Sequence, residues 1–194
     1  ILTSSDGTTW TSRTSGTSGN LYGVISGNGI FVSVGVGGTI LTSPDGTTWT
    51  ERTSGTSKIL EGVAYGNGIF VSVGNGGTIL TSSDGTSWDN RTSGTTKLLL
   101  GVTYGNSIFV TVGYNGTILT SSDGTTWDNR TSGTTELLTG VTYGNGTFVT
   151  VGYTVSTTST STTTTTSSDN SSSDNSTTTT TTTTTTEKST TTLT

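Results

Sequence analysis

Of the 194 residues only 26% are apolar and 10% are charged, against about 45–50% and about 25% in ordinary soluble domains. With no Cys, Met or His and a single Pro, Pro44, the chain has no Ser–His–Asp or Cys–His nucleophile, no zinc site of the usual ligands and no disulfide frame. A formal net charge of −5 argues against nucleic-acid binding, and no apolar run is long enough to span a bilayer. No metal and no cofactor is implied. A chain that starts at Ile1 without any Met is expected to derive from a longer precursor.

From the first residue the chain repeats. Trp10, Trp49, Trp88 and Trp127 are 39 residues apart, as are Ile1, Ile40, Ile79 and Ile118, and Arg13, Arg52, Arg91 and Arg130. Four copies, 1–39, 40–78, 79–117 and 118–156, fill a first domain, 1–156. Each copy carries two hairpin signals. In one, a segment such as Thr78-Ile79-Leu80-Thr81 leads through Asp84-Gly85 to Trp88 and a polar strand ending at Arg91. In the other, Gly62-Val63-Ala64-Tyr65 leads through Gly66-Asn67-Gly68 to Ile69-Phe70-Val71-Ser72-Val73. Asp-Gly and Asn-Gly between β-branched runs are strong short-range hairpin signals. Four short strands in about 40 residues is the grain of a propeller blade, so the predicted fold is all-β, a β-propeller of four blades. A linear β-solenoid has the same periodicity and is the alternative.

The chain opens on the Asp-Gly hairpin and closes its last copy on the Asn-Gly hairpin. Pairing residues 1–14 with 137–152 would complete a fourth blade and remove two sheet edges. Local concentration favours that closure within one chain. The same halves can instead pair between molecules, head to tail, which builds an open polymer where it does not close.

The four turns read Ser4-Ser5-Asp6-Gly7-Thr8-Thr9-Trp10, Ser43-Pro44-Asp45-Gly46-Thr47-Thr48-Trp49, Ser82-Ser83-Asp84-Gly85-Thr86-Ser87-Trp88 and Ser121-Ser122-Asp123-Gly124-Thr125-Thr126-Trp127. They resemble the Asp-box of sialidase-like, BNR-type propeller repeats, Ser-x-Asp-x-Gly-x-Thr-Trp, with one residue fewer between Asp and Trp. The resemblance implies a propeller in which the box is a folding element at the blade edge, away from any catalytic centre. It implies no glycoside cleavage, because the arginine triad and the tyrosine–glutamate pair of a sialidase have no counterpart here.

Asp6, Asp45, Asp84 and Asp123 are accordingly turn-forming residues that bond their own backbone. Trp10, Trp49, Trp88 and Trp127 are candidate sugar-stacking faces, although packing between blades is the commoner use of such an indole. The four arginines fall on the outermost strand, where charge discourages edge pairing. Glu51, Glu61 and Glu136 occupy non-equivalent places and make no acid–base pair. Near-identical copies suit assembly or avidity, and the chain is expected to be no enzyme.

The second region, 157–194, holds 22 Thr and 9 Ser in 38 residues and one apolar residue, Leu193. It cannot bury enough surface to offset its ordering entropy and reads as an extended, O-glycosylated mucin-like stalk without a core. Glycan acceptors are Asn90, Asn115, Asn129, Asn145, Asn170 and Asn175 in Asn-x-Ser/Thr contexts, and Thr177, Thr178, Thr179, Thr180, Thr181 and Thr182 in the threonine run. The expected protein is an extracellular or cell-surface structural module. It bears covalent glycans, self-associates and belongs to a surface filament or adhesive appendage. A lectin-like propeller, or a fragment of a larger propeller, is the alternative.

Overall fold

Each Asn-Gly or Asp-Gly signal marks a reversal between antiparallel strands. The computed structural model describes residues 1–153 and, in the tail, the backbone of 160–165 and 179–184. The chain opens with a short hairpin, β1 (Leu2–Thr3) and β2 (Thr11–Ser12). A four-stranded sheet follows: β3 (Leu21–Gly27), β4 (Ile30–Gly35), β5 (Ile40–Ser43) and β6 (Thr50–Arg52). The second sheet is β7 (Leu60–Gly66), β8 (Ile69–Gly74), β9 (Ile79–Ser82) and β10 (Asp89–Arg91). The third is β11 (Leu99–Gly105), β12 (Ile108–Gly113), β13 (Ile118–Ser121) and β14 (Asp128–Arg130). A last hairpin, β15 (Leu137–Gly144) and β16 (Thr147–Tyr153), ends this unit. Strand order within each four-stranded sheet follows the sequence, the meander of a propeller blade.

The inner hairpins turn on Asn28-Gly29, Asn67-Gly68 and Asn145-Gly146, both residues of each pair having positive φ. That is the type I′ geometry whose twist matches antiparallel strands. The third copy has Asn106-Ser107, and Ser107 is held at φ 63 where the other copies have Gly. Each innermost strand carries a bulge at Tyr22, Glu61, Leu100 or Thr139. Each outer strand is tied inward by its arginine: Arg52, Arg91 and Arg130 donate Nε–H to Thr42, Thr81 and Thr120 at 2.8 Å.

Blades stack in sequence, β3 against β7, β7 against β11 and β11 against β15. The core consists of the layers between them. Val32, Val34 and Ile40 of the first blade meet Leu60, Val63, Phe70 and Leu80 of the second. Val71, Val73 and Ile79 meet Leu99, Phe109, Leu119 and Trp127, and Val110, Val112 and Ile118 meet Leu138, Val141 and Phe148. Small residues permit this closeness. A Cβ on Gly27, Gly66 or Gly105 would enter the ring of Tyr65, Tyr104 or Tyr143 from the next blade.

The expected closure within one chain does not form. β1–β2 and β15–β16 are separate two-stranded sheets, so residues 1–14 do not pair with 137–152. Each blade is seated by its inner strand on the next, and this stacking does not carry β15 round to β3. Three blades are therefore whole, and two half-blades stand at the ends.

The tail, Thr154–Thr194, is a separate unit. Within it β17 (Thr160–Thr165) pairs antiparallel with β18 (Thr179–Thr184), where an extended tail without pairing was expected. Threonine is β-branched and favours strands, so backbone pairing there needs no apolar face.

Candidate functional site

The Asp-Gly turns are the most regular chemistry in the chain. In the second blade Ser82 Oγ donates to Asp84 Oδ1 at 3.0 Å and accepts the Gly85 amide at 2.8 Å. The same Asp84 oxygen accepts the amides of Thr86 and Ser87 at 2.8 and 3.0 Å. The Trp88 indole N–H donates to the Gly85 carbonyl at 3.0 Å. Asp6, Asp45 and Asp123 hold equivalent positions. These bonds favour the ionised carboxylate. Asp84 is held well below the usual range, chiefly by the Ser87 amide and then by the Thr86 hydroxyl and amide. For Asp45 the Thr47 hydroxyl leads; for Asp6 and Asp123 the amides of Thr9 and Thr126 lead. The four carboxylates lie one per turn, and each is engaged by its own loop.

The indoles fall into two groups. Trp88 and Trp127 pack in the layers between blades, with ring centroids 6.4 and 6.5 Å from Phe70 and Phe109. Trp10 and Trp49 line a groove at the first end of the blade series, and Trp10 is 58% exposed. Glu61 sits on the bulge of β7, where burial raises its pKa. Among the described residues no three carboxylates gather in a form that could hold a metal ion, and no helix is long and apolar enough to cross a membrane. Asn90, Asn115, Asn129 and Asn145 are all exposed. Asn170, Asn175, Thr177 and Thr178 lie outside the described residues, and Thr179, Thr180, Thr181 and Thr182 fall on β18.

The groove has a volume of about 760 Å³ and is lined by Ile1, Trp10, Tyr22, Val24, Phe31 and Trp49, among others. It lies between the β1–β2 half-blade and the open face of the first full blade. At the opposite end β16 exposes Val149 and Val151. Tyr22, Val24, Phe31, Val149 and Val151 were not singled out by sequence reasoning. The signal that finds them is the phase of the repeat, which leaves half a blade at each end.

Among solved structures the chain is similar to YCF48 from Cyanidioschyzon merolae, with 22% identity and a TM-score of 0.50, covering 58% of this chain and 37% of that one. It is also similar to a structure of YCF48 bound to D1 peptide, with 20% identity and a TM-score of 0.53, covering 63% of this chain and 43% of that one. The fold is a β-propeller fold. The chain spans about two fifths of the length of these structures. No protein-family model and no curated protein matches it.

Proposed function

We propose that this chain is a non-enzymatic structural module of the cell exterior, a propeller-type unit that associates with its own kind into a surface filament or adhesive appendage. The observation that carries this reading is the pair of half-blades. One end offers two outer strands and the other two inner strands, and both leave apolar side chains open. Monomeric surfaces rarely keep such patches unless something binds there, and unpaired strand edges invite pairing. Two half-blades of opposite kind support a head-to-tail contact, the type that propagates.

The turns are read as Asp-box elements with a folding role, since each Asp is satisfied within its own loop. The threonine-rich region is read as a glycosylated stalk on composition. The absence of an acid–base pair among Glu51, Glu61 and Glu136 supports the non-enzymatic reading. The test is electron microscopy of the purified protein together with its intact mass. Filaments and a mass above that of the bare chain are expected; a monodisperse, unglycosylated monomer contradicts the proposal. A second reading, in which these blades belong to a larger propeller, is favoured by the limited share of the YCF48 structures that they span.

A further inference from the structure

Three features are unmet in a single copy: the free edge of β16, the free edge of β1, and the groove between β1–β2 and the first full blade. The complete blades show what belongs in each place. In the first, the second strand pairs with the third as Phe31↔Ser43, Val32↔Thr42, Ser33↔Leu41 and Val34↔Ile40. The other two keep the same register, Phe70↔Ser82 to Val73↔Ile79 and Phe109↔Ser121 to Val112↔Ile118. Carried through the 39-residue repeat, it sets Phe148 opposite Ser4, Val149 opposite Thr3, Thr150 opposite Leu2 and Val151 opposite Ile1.

We infer that the β15–β16 hairpin of one copy inserts beside the β1–β2 hairpin of a second copy, building one four-stranded blade shared by two chains. The inference rests on the self-assembly reading above and specifies its contact. The faces match as well as the edges. Between the first two full blades, Val32, Val34 and Ile40 cover Val63 and Phe70. In the shared blade Val149 and Val151 of one copy and Ile1 of the other occupy those places and cover Val24 and Phe31. Val149, Val151 and Val24 are 52%, 60% and 63% exposed in the single copy, whereas Val32 and Val34 are fully buried. One contact therefore covers the apolar residues of both ends, fills the groove and pairs both edges. Strand addition of this kind draws its affinity from main-chain bonds and its register from side-chain pockets.

One position departs from the repeat. Gly27, Gly66 and Gly105 each lie under a tyrosine ring of the following blade, but Gly144 has nothing within 4 Å, and the residue that would reach it in the second copy is Ser26. The shared junction lacks that aromatic contact, and Ser26→Tyr is expected to tighten it.

The register is tested with two single-cysteine variants of the full chain, which has no other cysteine. Val149→Cys and Thr3→Cys are mixed under mild oxidation, and a disulfide-linked dimer is expected from the mixture and not from either variant alone. The double variant Val32→Cys/Thr42→Cys, which places the same pair within one blade, shows that the geometry admits the bridge. Closure of that control with no cross-link in the mixture overturns the inference. Independently, Val149→Lys/Val151→Lys alters only side chains exposed in the single copy. It is expected to weaken self-association by roughly tenfold or more in sedimentation, and unchanged association overturns the shared blade. The size of the linked species separates the two proposals. A ladder supports the filament. A cross-linked pair that closes into a two-copy ring contradicts the filament and upholds the shared blade.

Discussion

The middle of the blade series and its two ends are built from the same repeat, yet their side chains meet different fates. Val71 and Val73 in the second blade are fully buried, while Val149 and Val151, two copies later at the same repeat position, stand open. Leu80 is 1% exposed and Leu2, its equivalent in the first copy, is 61% exposed. Sequence is nearly constant between these places, so the neighbour, and not the repeat itself, supplies burial. This is the behaviour of quasi-one-dimensional arrays, in which each unit contacts only the next and the terminal units are atypical. The Asp-Gly turns follow the opposite rule. Asp6 in the half-blade is held by Ser4, Thr8 and Thr9 in the same manner as Asp84 in a full blade. A turn is closed within its own loop; a blade face is not.

The largest expected difference between middle and end is in the aromatic core. Phe109 is fully buried against Tyr104 and Trp127, and Phe109→Ala is expected to cost about 3–5 kcal/mol in denaturant unfolding. Phe31, at the same repeat position but on the open face, should cost less than half as much when changed to Ala in dilute protein. Equal losses would mean that the first blade is covered after all.

Next comes the glycine series. A Cβ at Gly105 would run into the Tyr143 ring close to its root, where the side chain cannot swing away, whereas one at Gly144 meets open space. Gly105→Ala is expected to destabilise by about 1–3 kcal/mol and Gly144→Ala to stay within about 0.5 kcal/mol of the parent, as judged by thermal melts. At concentrations where copies associate the gap should hold, because Ser26 is too small to crowd that position.

A milder effect concerns acid. The four turn carboxylates ionise more readily in the folded chain than at their ordinary value of 3.8, because backbone amides and hydroxyls bond the charged form. The unfolded chain therefore takes up protons first as pH falls. Their contribution is complete above the ordinary carboxylate range and is lost progressively as pH drops through it toward the lower folded values. Asp84→Asn should flatten this acid loss by one turn's share in pH-dependent melts. Asp6→Asn should flatten it equally, because the turn does not depend on a neighbouring blade.

The smallest effect is at Ser107, which adopts positive φ where three copies have Gly. Ser107→Gly is expected to stabilise by about 1 kcal/mol, and a destabilised variant would show that the serine side chain earns its place at that turn.

What the sequence made legible was local. The 39-residue period, the Asn-Gly and Asp-Gly hairpins and the blade meander follow from turn chemistry spanning six residues or fewer, and each strand pair lies where Ile79, Asp84, Trp88 and Asn67 place it. The bulges at Tyr22, Glu61, Leu100 and Thr139 were not legible, because no composition signal marks the one extra residue. Ring closure was misjudged for a related reason. Whether β16 meets β1 depends on the rotation between packed blades, which accumulates from contacts such as Tyr104 on Gly66 and is written nowhere in a single repeat. The groove and the open valines follow from that rotation. The repeat phase pointed to half-blades, and only the stacking shows that they stay apart within one copy.

The central claim is that the ends are unfilled versions of the middle, and amide hydrogen exchange measured across protein concentration tests it most directly. β12 has a strand on each side within its own blade, and β16 has one. At low concentration the amides of β16 should exchange far faster than those of β12, and raising the concentration should protect β16 and β1 together while leaving β12 unchanged. Protection of β16 that equals that of β12 in dilute protein, or that ignores concentration altogether, would contradict the account.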